Sequence, residues 1–352
     1  MSRNKRPEKP FITVVVPIRN EEKHIDQCLE SIAQQDYGLE NFEVLVVDGL
    51  SDDGTRAIVE KYVQAYPNFF LVDNRERYVP FAMNLAIRRA KGEIIARMDG
   101  HAAMEPDYLT QTVRALRQTG AECVGGQIAS INQTRVGQAI ALAMSSTFGV
   151  GNSRFRTAGA DGYVDSLAFG VYHRDIFSQI GLFDEFMIRC QDDEFNFRLR
   201  DFGGKVYLTS KMRCKYYPRS SIKKLWKQYF GYGFFKVRLL QKYPRLMQLR
   251  QFVPFLFVSG FLGSLILLAG FGLLWPFLLL TMTYLSGCAL FTFKLCSKNG
   301  FQFALLLPVI FATLHFSYGT GFFWGLIKFS LVKPGAETIP QFSGVATEPI
   351  NV

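Results

Sequence analysis

The sequence has 352 residues, 49% of them hydrophobic, and a formal charge of +10. This excludes a disordered tail and allows one large domain, or a domain with an appendage. The charge is uneven: residues 1–201 hold 23 Lys+Arg against 28 Asp+Glu, and residues 202–352 hold 17 against 2. That split excludes a uniformly basic nucleic-acid binder, whose charge forms a stripe on the folded domain, so nucleic acid is not an expected partner.

Residues 1–10 form a basic tail that leads directly into a strand-like run. No long apolar core with a cleavage site precedes that run, which argues against a signal peptide and for a cytoplasmic acidic domain. From there the chain alternates strands and helices. Ile12–Val16, Val44–Val47, Phe69–Val72 and Glu93–Met98 read as apolar strands. Between them, Ile25, Cys28, Leu29 and Ile32, then Ile58, Val59 and Tyr62, then Asn84–Ala90 carry helical patterns. Apolar strands alternating with helices predict an α/β domain with a mostly parallel sheet covered on both faces. Ligands bind such sheets beyond the carboxyl ends of the strands. This rule selects Pro17–Glu22, Asp48–Thr55 and Asp99–His101.

Each of these places has a chemical reading and a plainer one. In Asp48-Gly-Leu-Ser-Asp-Asp-Gly-Thr55 backbone N–H groups can face an anion, while Asp48 can accept a hydrogen bond from a base or ribose. The same Ser-Asp-Asp-Gly is also ordinary turn and N-cap chemistry. Asp99 and His101, two residues apart across a tight turn, could hold Mn²⁺ or Mg²⁺ with diphosphate oxygens completing the shell, or could form a turn without metal. Gln191-Asp-Asp-Glu194 opens a helical pattern. Three adjacent carboxylates repel, which can raise the pKa of one and suit it to accept a proton. Acids in a first turn also simply complement the helix dipole.

The last third reads as membrane-associated. Ile222, Leu225, Trp226, Tyr229 and Phe230 share one helical face, with Lys223, Lys224 and Lys227 on others, which predicts a basic amphipathic helix in the membrane interface. Thirteen Lys+Arg between residues 202 and 250 place this side in the cytoplasm. The 43 uncharged residues between Arg250 and Lys294 are about twice what one span needs. A hairpin turning near Gly272 to Pro276 accounts for them, and Asn299 to Ile327 allows a third span. The six cysteines lack the spacing of a disulfide framework or zinc ribbon and read as reduced structural thiols. The expected organisation is a tail (1–10), an α/β domain (11–220), an interfacial region (221–250), two to three transmembrane helices (251–330) and a second tail (331–352).

Taken in order, six segments resemble glycosyltransferase family 2, inverting nucleotide-sugar enzymes with the GT-A fold. They are Val15-Val-Pro-Ile-Arg-Asn-Glu-Glu22, Val46-Val-Asp-Gly-Leu-Ser-Asp-Asp-Gly-Thr55, Pro80-Phe-Ala-Met-Asn-Leu-Ala-Ile87, Gly92-Glu-Ile-Ile95, Gly181-Leu-Phe-Asp-Glu185 and Gln191-Asp-Asp-Glu-Phe-Asn-Phe-Arg-Leu-Arg200. The resemblance implies that Pro17, Arg19, Glu21, Asp48, Asp53, Asn84 and Asp99 serve donor binding, with Asp48 on a uracil-type base. It implies that Asp99 and His101 hold the metal, and that Asp192 is the catalytic base. The family's Asp-x-Asp reads Asp99-Gly-His101 here, and its Glu-Asp reads Gln191-Asp192. Both departures, and Arg97 before the metal motif, are similar to the subgroup of succinoglycan-type exopolysaccharide glucosyltransferases. The Gln-x-x-Arg-Trp motif of processive synthases is absent from the sequence, which implies one sugar per encounter.

The resulting expectation is a multi-pass inner-membrane enzyme with its catalytic domain in the cytoplasm. It would transfer glucose or another hexose from a UDP-sugar to a polyprenyl-diphosphate-linked glycan. The alternatives are transfer onto polyprenyl phosphate itself and a non-catalytic membrane scaffold with a nucleotide fold.

Overall fold

Continuous β-branched runs build the centre of the α/β half. In the computed structural model, which describes residues 9–151, 153–157, 160–218 and 220–330, β1 (Ile12–Ile18) and β2 (Phe42–Asp48) are buried along their whole length. Strands covered on both faces need no polar alternation, which is why these stretches read as unbroken apolar runs. The helices between strands follow their apolar spacing: α1 (Ile25–Ala33) buries Ile25, Cys28, Leu29 and Ile32. Next come α2 (Thr55–Ala65), β3 (Phe69–Asp73), α3 (Val79–Arg89), β4 (Ile94–Arg97), β5 (Ala102–Met104), α4 (Tyr108–Thr119) and β6 (Cys123–Ser130). After two helices that belong to the other half, α5 (Arg135–Met144) and α6 (Thr147–Val150), the chain adds β7 (Gly162–Tyr163), β8 (Val171–His173), α7 (Asp175–Ile180), α8 (Gln191–Asp201) and β9 (Val206–Tyr216).

The sheet order is β3-β2-β1-β4-β8-β6-β9-β5, with β7 paired to β9. Strands β3, β2, β1 and β4 run parallel, and β8 joins β4 and β6 antiparallel. The parallel part therefore presents four carboxyl ends together, where a crevice for ligands forms. The loops there carry unusual backbone. Asn20, Leu50 and Arg77, after β1, β2 and β3, have φ of 53°, 58° and 66°. Phe169 and Cys190, before β8 and α8, have 55° and 57°. Positive φ is disfavoured for side chains with a Cβ, and such positions concentrate where function constrains the chain.

The chain divides into two units, the first comprising described residues 9–129 and 160–217, the second 130–157 and 218–330. The second contains α5, α6, α9 (Ile222–Lys242), α10 (Val253–Phe271), α11 (Leu274–Asn299) and α12 (Leu306–Ser330). Helices α10, α11 and α12 are each long and apolar enough to cross a membrane. The break between α10 and α11 falls at Gly272, whose φ of 68° forms the left-handed cap that ends α10. Helices α10 and α11 expose Leu256, Ile266, Leu279 and Leu290, as suits side chains that face lipid. Helix α12 is more enclosed, burying Ile310, Phe311, Leu314 and Phe322.

Helix α9 is longer than its amphipathic start suggests and packs along α12. A Cβ on Gly233 would overlap the Tyr318 carbonyl, and one on Gly321 the Phe230 carbonyl, so only glycine permits this approach. Of the face expected in the membrane interface, Leu225 and Tyr229 are buried, while Trp226 stays exposed, as do Lys223 and Lys224. Helices α5 and α6 interrupt the α/β half in sequence yet belong to this second unit. Phe148 of α6 stacks on Phe291 and meets Phe311 and His315 edge-on, each at 5.0 Å. The Phe148 carbonyl lies 2.7 Å from His315 Nε2, and Tyr284 Oη lies 3.0 Å from His315 Nδ1. All six cysteines are buried and no disulfide joins them. The expected tails, to residue 8 and from residue 331, lie outside the described residues.

Candidate active site

The loops after β1 and β2 are bound to each other. Asn20 donates its backbone N–H to Ser51 Oγ (2.9 Å) and its amide to Asp52 (2.7 Å), and Glu21 N–H donates to Thr55 Oγ1 (2.8 Å). Asp48, fully buried at the end of β2, accepts from Ser51 Oγ at 2.6 Å and from Ser51 N–H, and lies 3.4 Å from Arg56. Its carboxylate therefore shapes the turn. Asp53 is exposed and accepts from the N–H of Thr55 at 3.0 Å, at the start of α2. Pro17 is buried within β1, opposite Val47.

Arg19 differs from its neighbours. It is only 6% exposed, and Nε and Nη1 have no hydrogen-bond partner among the described residues. Burial, then the charge of Arg77, lowers its pKa, with Asp52, Tyr78 and Asp48 partly offsetting this. Leaving buried guanidinium donors unsatisfied is unfavourable, and an incoming anion or carbonyl-bearing ring would relieve it.

Arg97 ends β4 and places Nε and Nη2 each 2.9 Å from Asp99 Oδ1. Asp99 Oδ2 has no hydrogen-bond partner among the described residues. His101, also buried, puts Nδ1 3.1 Å from Glu21 Oε1, so Nε2 is the nitrogen a metal would have to use. No group of three His, Cys, Asp or Glu side chains that could hold a metal exists among the described residues. The residues thus fit a hard cation shared with a diphosphate, Asp99 Oδ2 being the open oxygen; they do not form a cage sufficient by itself.

The acids of α8 divide by role. Glu194 is buried and paired to Arg198 at 2.9 Å; Arg198 also donates to the Ile180 (2.5 Å) and Leu182 (2.7 Å) carbonyls. This pair fixes the Gly181–Glu185 loop. Asp193 accepts from Ser166 Oγ at 2.6 Å. Asp192 keeps partial exposure, and its pKa is pushed up to about 6 by burial first and then by Asp193, with Asp99 adding. Arg97 and the Asp193 N–H pull the other way. A partly exposed carboxylate titrating there can hold a proton taken from a hydroxyl.

Asn84 stands apart. Its amide donates to the Phe183 carbonyl and to Glu185, each at 2.9 Å, and its oxygen accepts from Phe183 N–H at 2.9 Å. With both ends engaged it tethers the loop of residues 181–185. Sequence reasoning did not assign the aromatic supports either. Tyr216 packs 5.0 Å from the His101 ring, and Tyr217 stacks on His24 at 4.9 Å. The adjacent tyrosines at the end of β9 were the available signal.

Residues 13–181 match the profile of Glycosyl transferase family 2. The dolichyl N-acetyl-alpha-D-glucosaminyl phosphate 3-beta-D-2,3-diacetamido-2,3-dideoxy-beta-D-glucuronosyltransferase of Methanococcus voltae is 31% identical over 327 residues, covering 90% of this chain and 98% of that protein. The succinoglycan biosynthesis protein ExoA of Rhizobium meliloti is 26% identical over 318 residues, covering 90% and 95%. Among solved structures, the mannosyltransferase PcManGT of Pyrobaculum calidifontis, in complex with GDP-Man and Mn²⁺, is similar with a TM-score of 0.56 at 20% identity, covering 90% of this chain and 88% of that one.

Proposed function

Because this chain belongs to glycosyltransferase family 2 and its catalytic unit has the GT-A fold, we propose that it is a membrane-bound, inverting, non-processive transferase. It moves glucose or another hexose from a UDP-sugar to a lipid-linked glycan carried on a polyprenyl diphosphate. The process it serves is bacterial exopolysaccharide or cell-surface polysaccharide synthesis, at the inner membrane with the catalytic unit in the cytoplasm. Two relatives support this reading: one acts, by its name, on a dolichyl-linked sugar phosphate, and the other is a succinoglycan biosynthesis protein. The three apolar helices suit a substrate whose tail lies in lipid.

The single observation that carries the mechanism is Asp192, held near Arg97 and Asp99 with its pKa raised to about 6. Asp192 accepts the proton of the acceptor hydroxyl as the oxygen attacks the anomeric carbon from the face opposite the diphosphate. That attack inverts the configuration and needs no covalent sugar–enzyme intermediate. Asp99, with His101 through Nε2, would hold Mn²⁺ or Mg²⁺, which supplies positive charge to the leaving diphosphate. The solved relative with Mn²⁺ supports such an ion. Arg19 receives the nucleotide, on a floor shaped by Pro17, Glu21, Asp48 and Asp53. Asn84 positions the loop on the acceptor side.

The test is a donor screen in native membranes with lipid-linked acceptor, following release of nucleoside diphosphate. UDP should be released with one UDP-hexose, and release should stop in EDTA and return with Mn²⁺ or Mg²⁺. Full activity in EDTA would remove the metal from the mechanism. A lipid monophosphate sugar as product would instead select transfer onto polyprenyl phosphate.

A further inference from the structure

Helix α12 is long and apolar enough to cross a membrane, yet its contacts lead it back to the side it starts from. Helices α10 and α11 run antiparallel, Phe257 stacking on Tyr284 at 4.4 Å and Phe261 meeting Phe277 at 5.5 Å. The end of α11 therefore returns to the side of Arg250. From there the chain turns through a short 3₁₀ segment (Phe301–Phe303) and enters α12 at Leu306. Along α12 the contacts then move backwards along α10. Phe316 meets Phe261 at 5.5 Å and Phe257 at 5.3 Å. Tyr318 donates its hydroxyl to the Gln251 carbonyl at 3.0 Å, and Phe322 meets Phe255 at 4.8 Å and Phe252 at 5.8 Å. By Phe322, α12 has reached the start of α10, with Phe323–Ser330 still to come. Phe261 lies only about 12 Å along α10 from Val253, well short of a ~30 Å hydrocarbon core. The turn end of the hairpin has open surroundings. A Cβ at Gly263, Gly270 or Gly272 would meet nothing within 4 Å, and Ile266, Phe271 and Trp275 are exposed.

The partner of α12 points the same way. Helix α9 runs parallel to it, from Phe230 against Gly321 to Gln241, whose amide donates to the Phe329 carbonyl at 3.2 Å. Along its length α9 carries Lys223, Lys224, Lys227, Lys236, Arg238 and Lys242, which makes a path through hydrocarbon unfavourable. A helix packed along α9 lies in the same layer. The outer residues suit the boundary between head groups and acyl chains, where Trp and Lys collect. Lys223, Lys224 and Trp226 are exposed on α9, as are Phe323, Trp324 and Lys328 on α12.

We propose that α12 does not cross the membrane: it lies with α9 in the head-group layer of the anionic cytoplasmic leaflet, across the mouth of a two-span α10–α11 anchor, so that Ser330 is cytoplasmic. This rests on the membrane-bound reading above. It also keeps Lys328 with the other basic residues, whereas a third span would carry it to the far side, against the positive-inside tendency.

The experiment uses the full-length chain in spheroplasts, with Leu273→Cys or Ser330→Cys, both exposed positions, and a membrane-impermeant maleimide. The six native cysteines are buried, so wild type gives the background. Leu273→Cys should be labelled in intact spheroplasts, and Ser330→Cys only after lysis. Labelling of Ser330→Cys in intact spheroplasts would overturn the proposal. Reporters fused after Val352 give a reading that no substitution disturbs. A fluorescent protein that matures only in the cytoplasm should fluoresce there, and activity of alkaline phosphatase, which folds only outside, would overturn the proposal. Release of wild type from membranes by alkaline carbonate would fail the membrane-bound reading itself, a result distinct from either.

Discussion

Replacing Asp192 with Asn should abolish transfer and at the same time stabilise the catalytic unit at neutral pH. An aspartate ordinarily titrates at 3.8, and here the folded value is about 6. For a carboxyl raised on folding, the unfolded state releases its proton first, so the fold is penalised once pH exceeds the unfolded pKa. The penalty is absent below pH 4, grows between 4 and 6, and is complete above 6. Its upper bound is about 3 kcal/mol, and relaxation around a partly exposed group lowers this to about 1–3 kcal/mol. Asn keeps an oxygen to accept from the Asp193 N–H, which donates to Asp192 Oδ1 at 3.0 Å. The variant should therefore unfold about 3–10 °C higher than wild type at pH 8, in a unit of roughly 200 residues. The two curves should converge by pH 4. The assay is thermal unfolding in detergent across pH 4–8, beside a transfer assay at each pH. Equal melting temperatures at pH 8, or a gap that widens toward pH 4, would refute the reasoning about Asp192.

Three further outcomes are expected. Arg19→Ala should weaken UDP binding about 10- to 100-fold, the loss of charge-assisted hydrogen bonds from a buried guanidinium, with a smaller change in kcat; equilibrium binding of UDP checks it. Arg198→Ala removes the cation that neutralises Glu194 and the donor to two loop carbonyls, and should destabilise the catalytic unit by about 3 kcal/mol, read from denaturant unfolding. Gly321→Val drives a side chain into the Phe230 carbonyl and should destabilise the second unit by about 1–3 kcal/mol or prevent its folding, measured as a lower melting temperature in detergent.

How far the sequence reveals this molecule depends on the range of the interactions involved. Strands β1 to β4 were legible because consecutive buried β-branched residues leave their mark locally: Val44–Val47 was expected and Phe42–Asp48 is observed. The hairpin break at Gly272 was legible for the same reason, a glycine interrupting an uncharged run. The docking of α6 was not, because Phe148 and His315 lie 167 residues apart and neither is unusual in its own neighbourhood. The contact of α9 with α12 hid behind an amphipathic pattern that also suits a membrane surface. Its signal was the glycines on both helices, Gly233 on α9 and Gly321 and Gly325 on α12. Within the site, Asp192 stood out among three adjacent acids only through the resemblance. The structure separates them by partner, giving Glu194 to Arg198 and Asp193 to Ser166. Asn84 read as a donor contact from its motif, yet its partners Phe183 and Glu185 are about a hundred residues away and engage its whole amide.

The most direct test of the central claim is analysis of the lipid-soluble product formed from a radiolabelled UDP-hexose and a polyprenyl-diphosphate-linked glycan. Wild-type membranes should yield a glycan longer by one labelled sugar whose anomeric configuration is opposite to that of the donor, and Asp192→Asn membranes should yield none while still binding UDP. A product with retained configuration, or label transferred at the wild-type rate by Asp192→Asn, would contradict the account.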